Sequence, residues 1–298
     1  MAVDRDDSKD IGLIGVGLVG TALARNLLAG GYAVVGYDIV PERMDHLQRI
    51  GGRKVDCPAD VARAVGCVLL SLPESTAVRR VMEGPRGVLE ADRLPTYVID
   101  TTTGDPAATM ELAKRLADRG VAFLDATISG SSGQVGRREA IFMVGGDRAA
   151  FDACHGVFQA LSDRVFYLGS SGAGAKAKLA TNLVLGLNRL ALAEGLVFAE
   201  SLGLDLRSFL ELLRAGPAYS AAVDVKGEKM LHADFATEAR LKQHHKDVSL
   251  ILKYARQTGQ ELPLTGVHED ILEKSIEAGE GELDNAAVIN EIRRRRTR

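Results

Sequence analysis

The sequence predicts an α/β protein in which a doubly wound sheet fills the first half and an all-α domain, built on one long central helix, fills the second. Two observations carry that reading. Short apolar runs alternate with helical stretches up to about residue 169, and strand signals then cease. After Gly172-Ala-Gly174 the chain is dense in Leu and Ala and has no proline until Pro217, room for a helix of about 28 residues, or roughly 40 Å. The expected domains are residues 1–169 and 170–298.

The elements follow in order. After a polar start over Met1–Asp10, expected to be loose, Ile11–Ile14 reads as a buried strand. It runs into Gly15-Val-Gly17-Leu18-Val19-Gly20, and a helical stretch follows to Leu28. Ala33–Tyr37 is a second strand, ending at Asp38. Further strands are expected at Cys67–Leu72, Tyr97–Asp100, Ala122–Asp125, Ala140–Val144 and Val165–Leu168. Beyond them lie helical stretches at 176–202, 206–215, 220–230, 238–258, 266–278 and 285–296.

Composition narrows the function. With 46% hydrophobic and 26% charged residues, the chain can pack a core without disulfides. A net charge of -3 gives no field that would recruit nucleic acid or a membrane surface. The basic run Arg293–Arg298 reads as a solvated, frayed tail. Cys57, Cys67 and Cys154 have no metal or redox spacing and are expected as core or loop thiols of a cytoplasmic protein. No targeting leader or membrane span is expected, because the most apolar stretch is interrupted by Asn182, Asn188, Arg189, Glu194 and Glu200. Adjacent His244 and His245 point about 100° apart on a helix and have no third ligand nearby, so no metal site is expected.

Strand, glycines, helix, strand and acid together form a Rossmann-type dinucleotide site. Gly15 permits the tight turn, Gly17 lets the backbone approach a pyrophosphate, and Gly20 lets helix pack on strand. Leu18 and Val19 open the helix whose N–H groups face the anion. A carboxylate at Asp38 accepts from a free ribose 2′-hydroxyl and repels a 2′-phosphate, which favours NAD over NADP. Arg43 reads as a solvated helix residue.

Two features stay open at this level. The small-residue loop Ser129-Gly130-Ser131-Ser132-Gly133 suits either a flexible turn or a cradle for a substrate carboxylate. Lys178 and Asn182 stack one turn apart on an otherwise apolar helix, expected to be buried on several sides; they serve either local hydrogen bonds or chemistry.

In order along the chain, these segments resemble the β-hydroxyacid dehydrogenases, the family that includes 3-hydroxyisobutyrate dehydrogenase and tartronate semialdehyde reductase. The likeness joins Gly15–Gly20, Leu72-Pro73, Asp100 with Thr103, Asp105 and Pro106, the loop Asp125–Ser131, Met143–Gly146, Gly172-Ala-Gly174 with Lys178 and Asn182, and Lys246-Asp247 after Phe235. The resemblance implies a nicotinamide cofactor and a small hydroxy acid or semialdehyde as substrate. It implies that Ser129, Gly130 and Ser131 hold the substrate carboxylate, that Lys178 exchanges the proton and that Asn182 orients the reactants. It also implies that Leu72, Pro73, Thr103 and Lys246 approach the cofactor, and that the protein is a homodimer or homotetramer.

Departures are Thr127 where the family has proline, Ser131 in place of a second glycine, and Arg138-Glu139 where a small pair is usual. They keep the substrate's identity open, and Arg137-Arg138 is the nearest thing to a phosphate-binding cluster. An imine reductase on the same scaffold, or a non-catalytic dinucleotide-binding protein, are the competing readings; retention of Lys178 with Asn182 and Ser129 argues against both.

Overall fold

The computed structural model describes residues 9–296. The chain divides into two compact units, one ending at Lys178 and the other beginning at Leu179.

The first unit carries β1 (Asp10–Ile14), α1 (Leu18–Ala29), β2 (Ala33–Tyr37), α2 (Pro41–Arg49), β3 (Arg53–Lys54), α3 (Pro58–Ala64), β4 (Cys67–Leu70), α4 (Ser75–Glu83), β5 (Tyr97–Asp100), α5 (Pro106–Ala117), β6 (Ala122–Ser129), α6 (Ser132–Gly136), β7 (Ile141–Gly146), α7 (Arg148–Ala153), α8 (His155–Leu161) and β8 (Arg164–Gly169). Among the described residues the strands form one sheet in the order β3-β2-β1-β4-β5-β6-β7-β8. The chain order reverses between β1 and β4, which opens a ligand crevice at their carboxyl ends.

Strand alternation builds the two apolar layers. Leu13, Leu69, Ile99 and Leu124 join Leu23, Leu27 and Phe158 on one face, while Ile14, Val68, Leu70 and Val98 join Val61, Met82 and Leu116 on the other. Each such side chain, fully buried, contributes about 1.5–3 kcal/mol. Two details differ from the sequence expectation. The short edge strand β3 escapes notice because Arg53 and Lys54 are charged and exposed. Most strand pairs are parallel, but β6 and β7 pair antiparallel, Asp125 opposite Gly145 and Thr127 opposite Met143. Periodicity gives the faces of a strand and not its direction.

The long helix α9 (Ala173–Ser201) begins in the first unit and continues into the second. There it is joined by α10 (Leu206–Ala215), α11 (Ala221–His232), α12 (Leu241–Thr258), α13 (Pro263–Glu277) and α14 (Val288–Arg294). Leu190, Leu196, Leu210, Met230, Val248, Leu272 and Ile289 form the core of this unit. Contrary to the expectation of burial on several sides, α9 keeps one face open, with Val184, Leu185 and Phe198 exposed. It is long and apolar enough to cross a membrane by length and hydropathy, and half of that apolar window is buried inside the protein. Asp284, wholly buried, ties the unit together: Lys226 donates at 2.6 Å, and the Glu238, Ala239 and Ala286 N–H groups donate at 3.0–3.1 Å. Burial pushes its carboxyl up, but the ammonium and the N–H donors outweigh that and hold it below the ordinary value.

The arginine run is not a frayed tail through Arg296. Arg293 and Arg296 pair with Glu200, Arg294 with Glu280 and Glu291, and Arg295 with Asp270 and Glu291. Thr297 and Arg298 lie outside the described residues, as does the expected loose start up to Ser8; Lys9 precedes β1.

Candidate active site

The glycine loop between β1 and α1 is shaped by close backbone contacts. Gly15 has φ +96°, and a Cβ there would come 2.2 Å from the Ser71 carbonyl oxygen. A Cβ on Gly20 would come 2.0 Å from the Gly15 carbonyl oxygen. Gly17 has no atom within 4 Å of that position, so its missing side chain leaves room in front of the loop. The first turn of α1, Leu18 and Val19 included, has no acidic residue and no side-chain cap. Its N–H groups therefore favour an anion.

At the end of β2, Asp38 is buried and faces this loop. Its Oδ2 accepts from Val16 N–H at 2.7 Å and its Oδ1 from Val40 N–H at 2.9 Å. Arg43 is not merely solvated: its guanidinium lies 3.3 Å from both carboxylate oxygens. Leu72 and Pro73 follow β4, and the Leu72 N–H donates to Thr102 Oγ1 at 3.2 Å, which joins that loop to the one bearing half-buried Thr103. Behind them Asp100 is pushed up to about 7 by burial, opposed by hydrogen bonds from Thr102 and reinforced by the nearby Asp125 charge. An open position at Gly17, an uncapped helix start and an acceptor at Asp38 fit a dinucleotide.

The start of α9 is pressed onto β6 and β7, with glycines at the closest approach. A Cβ on Gly174 would come 2.3 Å from the Met143 carbonyl oxygen and 2.5 Å from that of Asp125; one on Gly145 would come 2.8 Å from the Ala173 and Gly174 nitrogens. Asp125 accepts from Gly172 N–H at 2.8 Å and Ala175 N–H at 2.9 Å, and Thr127 Oγ1 donates to the Gly174 carbonyl at 2.9 Å. Burial raises the Asp125 carboxyl, while these N–H donors pull it back. One turn on, Lys178 is buried.

Where β6 ends, Ser129, Gly130 and Ser131 form the loop expected to hold a carboxylate. Gly130 has φ +150°, and a Cβ there would press on Ala140. Ser131 caps α6: its Oγ accepts from Gln134 N–H at 3.3 Å, and its own N–H donates to Gln134 Oε1 at 2.8 Å. An incoming carboxylate must displace the Gln134 amide to use that N–H. Arg137 and Arg138 are engaged elsewhere, with Glu139 and with Asp163.

In the second unit Asn182 donates to Asp247 Oδ2 at 3.0 Å, and the half-buried Lys246 ammonium lies 3.5 Å from Asp247 Oδ1. Asp247 is thus a buried partner. Further along α9 the His244 and His268 rings pack 5.1 Å apart against Gly186, where a Cβ would come 2.7 Å from each. Buried Arg189 lies 3.3 Å from His244 Nε2. Burial above all, with the Arg189 and His245 charges, lowers His268 to about 4.

The family model for the NAD binding domain of 6-phosphogluconate dehydrogenase matches residues 10–169, and that for the NAD-binding region of NADP-dependent 3-hydroxyisobutyrate dehydrogenase matches residues 172–292. The chain belongs to the β-hydroxyacid dehydrogenase family. It is 32% identical to 2-(hydroxymethyl)glutarate dehydrogenase of Eubacterium barkeri over 94% of this chain and 93% of that one. With 2-hydroxy-3-oxopropionate reductase of Escherichia coli it shares 29% identity over 83% of its length and 85% of the relative's. The solved 3-hydroxyisobutyrate dehydrogenase of Mycobacterium tuberculosis with L-serine superposes with a TM-score of 0.87 at 27% identity, covering 95% of this chain and 99% of that one.

As a β-hydroxyacid dehydrogenase the protein is a nicotinamide-dinucleotide-binding oxidoreductase. Sequence reasoning left the contacts of Asp125, Thr127, Gln134 and Arg189 unassigned. For Arg189 a signal existed: Asn182, Gly186 and Arg189 recur at helical spacing, a face that the Leu-rich pattern conceals.

Proposed function

We propose that this β-hydroxyacid dehydrogenase uses NAD to interconvert a small β-hydroxy acid and its semialdehyde, with Lys178 as general acid and base. The observation that carries the reading is the attachment of the Lys178 turn to β6, the strand that ends at Ser129 and leads into Gly130-Ser131. Proton donor and carboxylate loop thereby share one rigid strand. The bound cofactor would supply or accept the hydride at the carbon bearing the reacting oxygen. Ser129 and the N–H groups of Gly130 and Ser131 hold the carboxylate, the latter after Gln134 yields. In oxidation Lys178 Nζ takes the hydroxyl proton; in reduction it gives that proton back. Asn182, anchored on Asp247, fixes the direction of the transfer.

NAD is favoured over NADP because the Asp38 carboxylate is held in place by two backbone N–H groups and would repel a 2′-phosphate, even with Arg43 beside it. Thr103, Leu72, Pro73 and Lys246 complete the cofactor's surroundings in this reading. The protein is proposed to work in the cytoplasm on small molecules, without nucleic acid or membrane. The exposed Val184, Leu185 and Phe198 support a homodimer or homotetramer.

The test is NADH and NADPH formation with 3-hydroxyisobutyrate, glycerate, 4-hydroxybutyrate, threonate and serine, for wild type and Lys178→Ala. The variant should retain NADH binding and lose about 10²–10⁴-fold in kcat. Wild-type turnover in Lys178→Ala would overturn the assignment.

A further inference from the structure

Along β6 the residues alternate between two faces. Leu124, Ala126 and Ile128 enter one apolar layer, so Asp125, Thr127 and Ser129 share the opposite face. Two of these three grip the beginning of α9, and the third opens the loop proposed for substrate. The grip is specific: Asp125 accepts the Gly172 and Ala175 N–H groups through its two oxygens, and Thr127 donates to the Gly174 carbonyl.

Gly174 is four residues before Lys178, so in the α-helical register its carbonyl is also the acceptor of Lys178's own backbone N–H. The Thr127 hydroxyl and the Lys178 amide therefore meet on one oxygen. Asp125 adds a negative charge at the helix start, where the helix dipole favours it. Glycines at 145 and 174 let the backbones approach closely, so the short Asp125 and Thr127 side chains span the joint. Lys178 and Ser129 each lie only about 6–7 Å from this joint along their own elements, one helical turn and two strand residues.

We propose that Asp125 and Thr127 are positioning residues that set the register of Lys178 against the carboxylate loop, a proposal that rests on the proton-transfer role given to Lys178. Thr127 is the chain-specific half of the clamp, since a proline at that position would bring no hydroxyl. The clamp acts through the main chain of α9, so its loss shifts the amine without removing it. Misplacement by fractions of an ångström slows proton transfer and leaves ground-state binding intact.

The experiment compares Thr127→Val, which keeps the shape and removes the hydroxyl, with Thr127→Ser, which keeps the hydroxyl. Backbone hydrogen exchange of peptides covering residues 172–182 is read on the unliganded protein. In parallel, kcat and KM are measured with NAD and the acid of the panel above that wild type turns over fastest. In Thr127→Val, exchange at the first turn of α9 should rise about tenfold as one hydrogen bond is lost. Its kcat should fall about 3- to 10-fold, with both KM values within about twofold of wild type. Thr127→Ser should match wild type in both readouts. Unchanged exchange in Thr127→Val overturns the clamp, and raised exchange with wild-type kcat overturns its positioning role. Lys178→Ala is carried alongside: if it retains wild-type kcat, the proton-transfer reading fails, while the exchange comparison, which needs no substrate, still judges the clamp.

Discussion

The amide of Asn182 donates a 3.0 Å hydrogen bond to the Asp247 carboxylate, joining α9 to α12 one turn beyond Lys178 with both partners buried. Removing the donor takes a hydrogen bond from a buried carboxylate, whose other oxygen keeps the Lys246 ammonium at 3.5 Å. Asn182→Ala should therefore lose about 1–3 kcal/mol of stability as well as activity. Asn182→Asp should be worse at pH 7, because two carboxylates then face each other, and should recover toward Asn182→Ala as the pH is lowered. Urea unfolding at pH 7 and pH 5 checks the order; equal stability of the two variants at pH 7 would contradict it.

Asp38 and Arg43 form a second pair whose balance decides the cofactor. With the carboxylate replaced in Asp38→Ser, the ribose acceptor is lost and Arg43 is released toward a phosphate. The kcat/KM ratio for NAD over NADP should drop by about tenfold or more, the worth of one charge-assisted hydrogen bond. Steady-state kinetics with both cofactors provide the measure, and a wild-type preference for NADP would refute the role given to Asp38.

Among the loop glycines, position 17 should separate binding from folding. Gly17→Ala places its methyl in open space, so the unliganded protein should melt within about 1–2 °C of wild type while NADH affinity falls about tenfold or more. Gly20→Ala drives a methyl against the Gly15 carbonyl and should destabilise the protein itself, by about 1–3 kcal/mol. Thermal melts with and without NADH distinguish the two.

Two buried groups give stability opposite pH slopes. Asp100, raised to about 7 chiefly by burial, keeps in the folded state a proton that the unfolded chain releases near 4. Stability therefore falls as pH rises from about 4 to 7, and Asp100→Asn should gain on wild type across that window, by up to about 4 kcal/mol at its end. His268, lowered to about 4 chiefly by burial, stays neutral when folded. Its contribution is lost as pH falls from about 6.5 to 4, and His268→Gln should blunt that loss. Chemical denaturation from pH 4.5 to 8 resolves both; a flat wild-type-minus-Asp100→Asn difference would contradict the first.

Arg189 marks the limit of what a linear pattern reveals. In the sequence it reads, with Asn188, Glu194 and Glu200, as a polar interruption of an apolar helix. In the fold Asn188, Glu194 and Glu200 are exposed, while Arg189 is buried against His244. All four are polar. Its spacing from Asn182 and Gly186 sets Arg189 on one side of α9, and the packing of α12 and α13 against that side buries it.

The sequence by itself determined the glycine loop with Asp38, the alternation of strands and helices, the long helix with Lys178 and Asn182, and the family. These are local features: turn chemistry, period and propensity act over a few residues, and each leaves its mark in the chain. The tertiary structure alone decided that β7 runs against β6, that Asp125 and Thr127 grip the start of α9, that Gln134 occupies the Ser131 N–H, and that Asp247 holds Asn182. Each of these is a contact between segments distant in sequence or a choice among hydrogen-bond partners, settled by which backbone groups are brought within about 3 Å of one another. No periodicity encodes that distance; it exists only once the sheet and helices have closed around it.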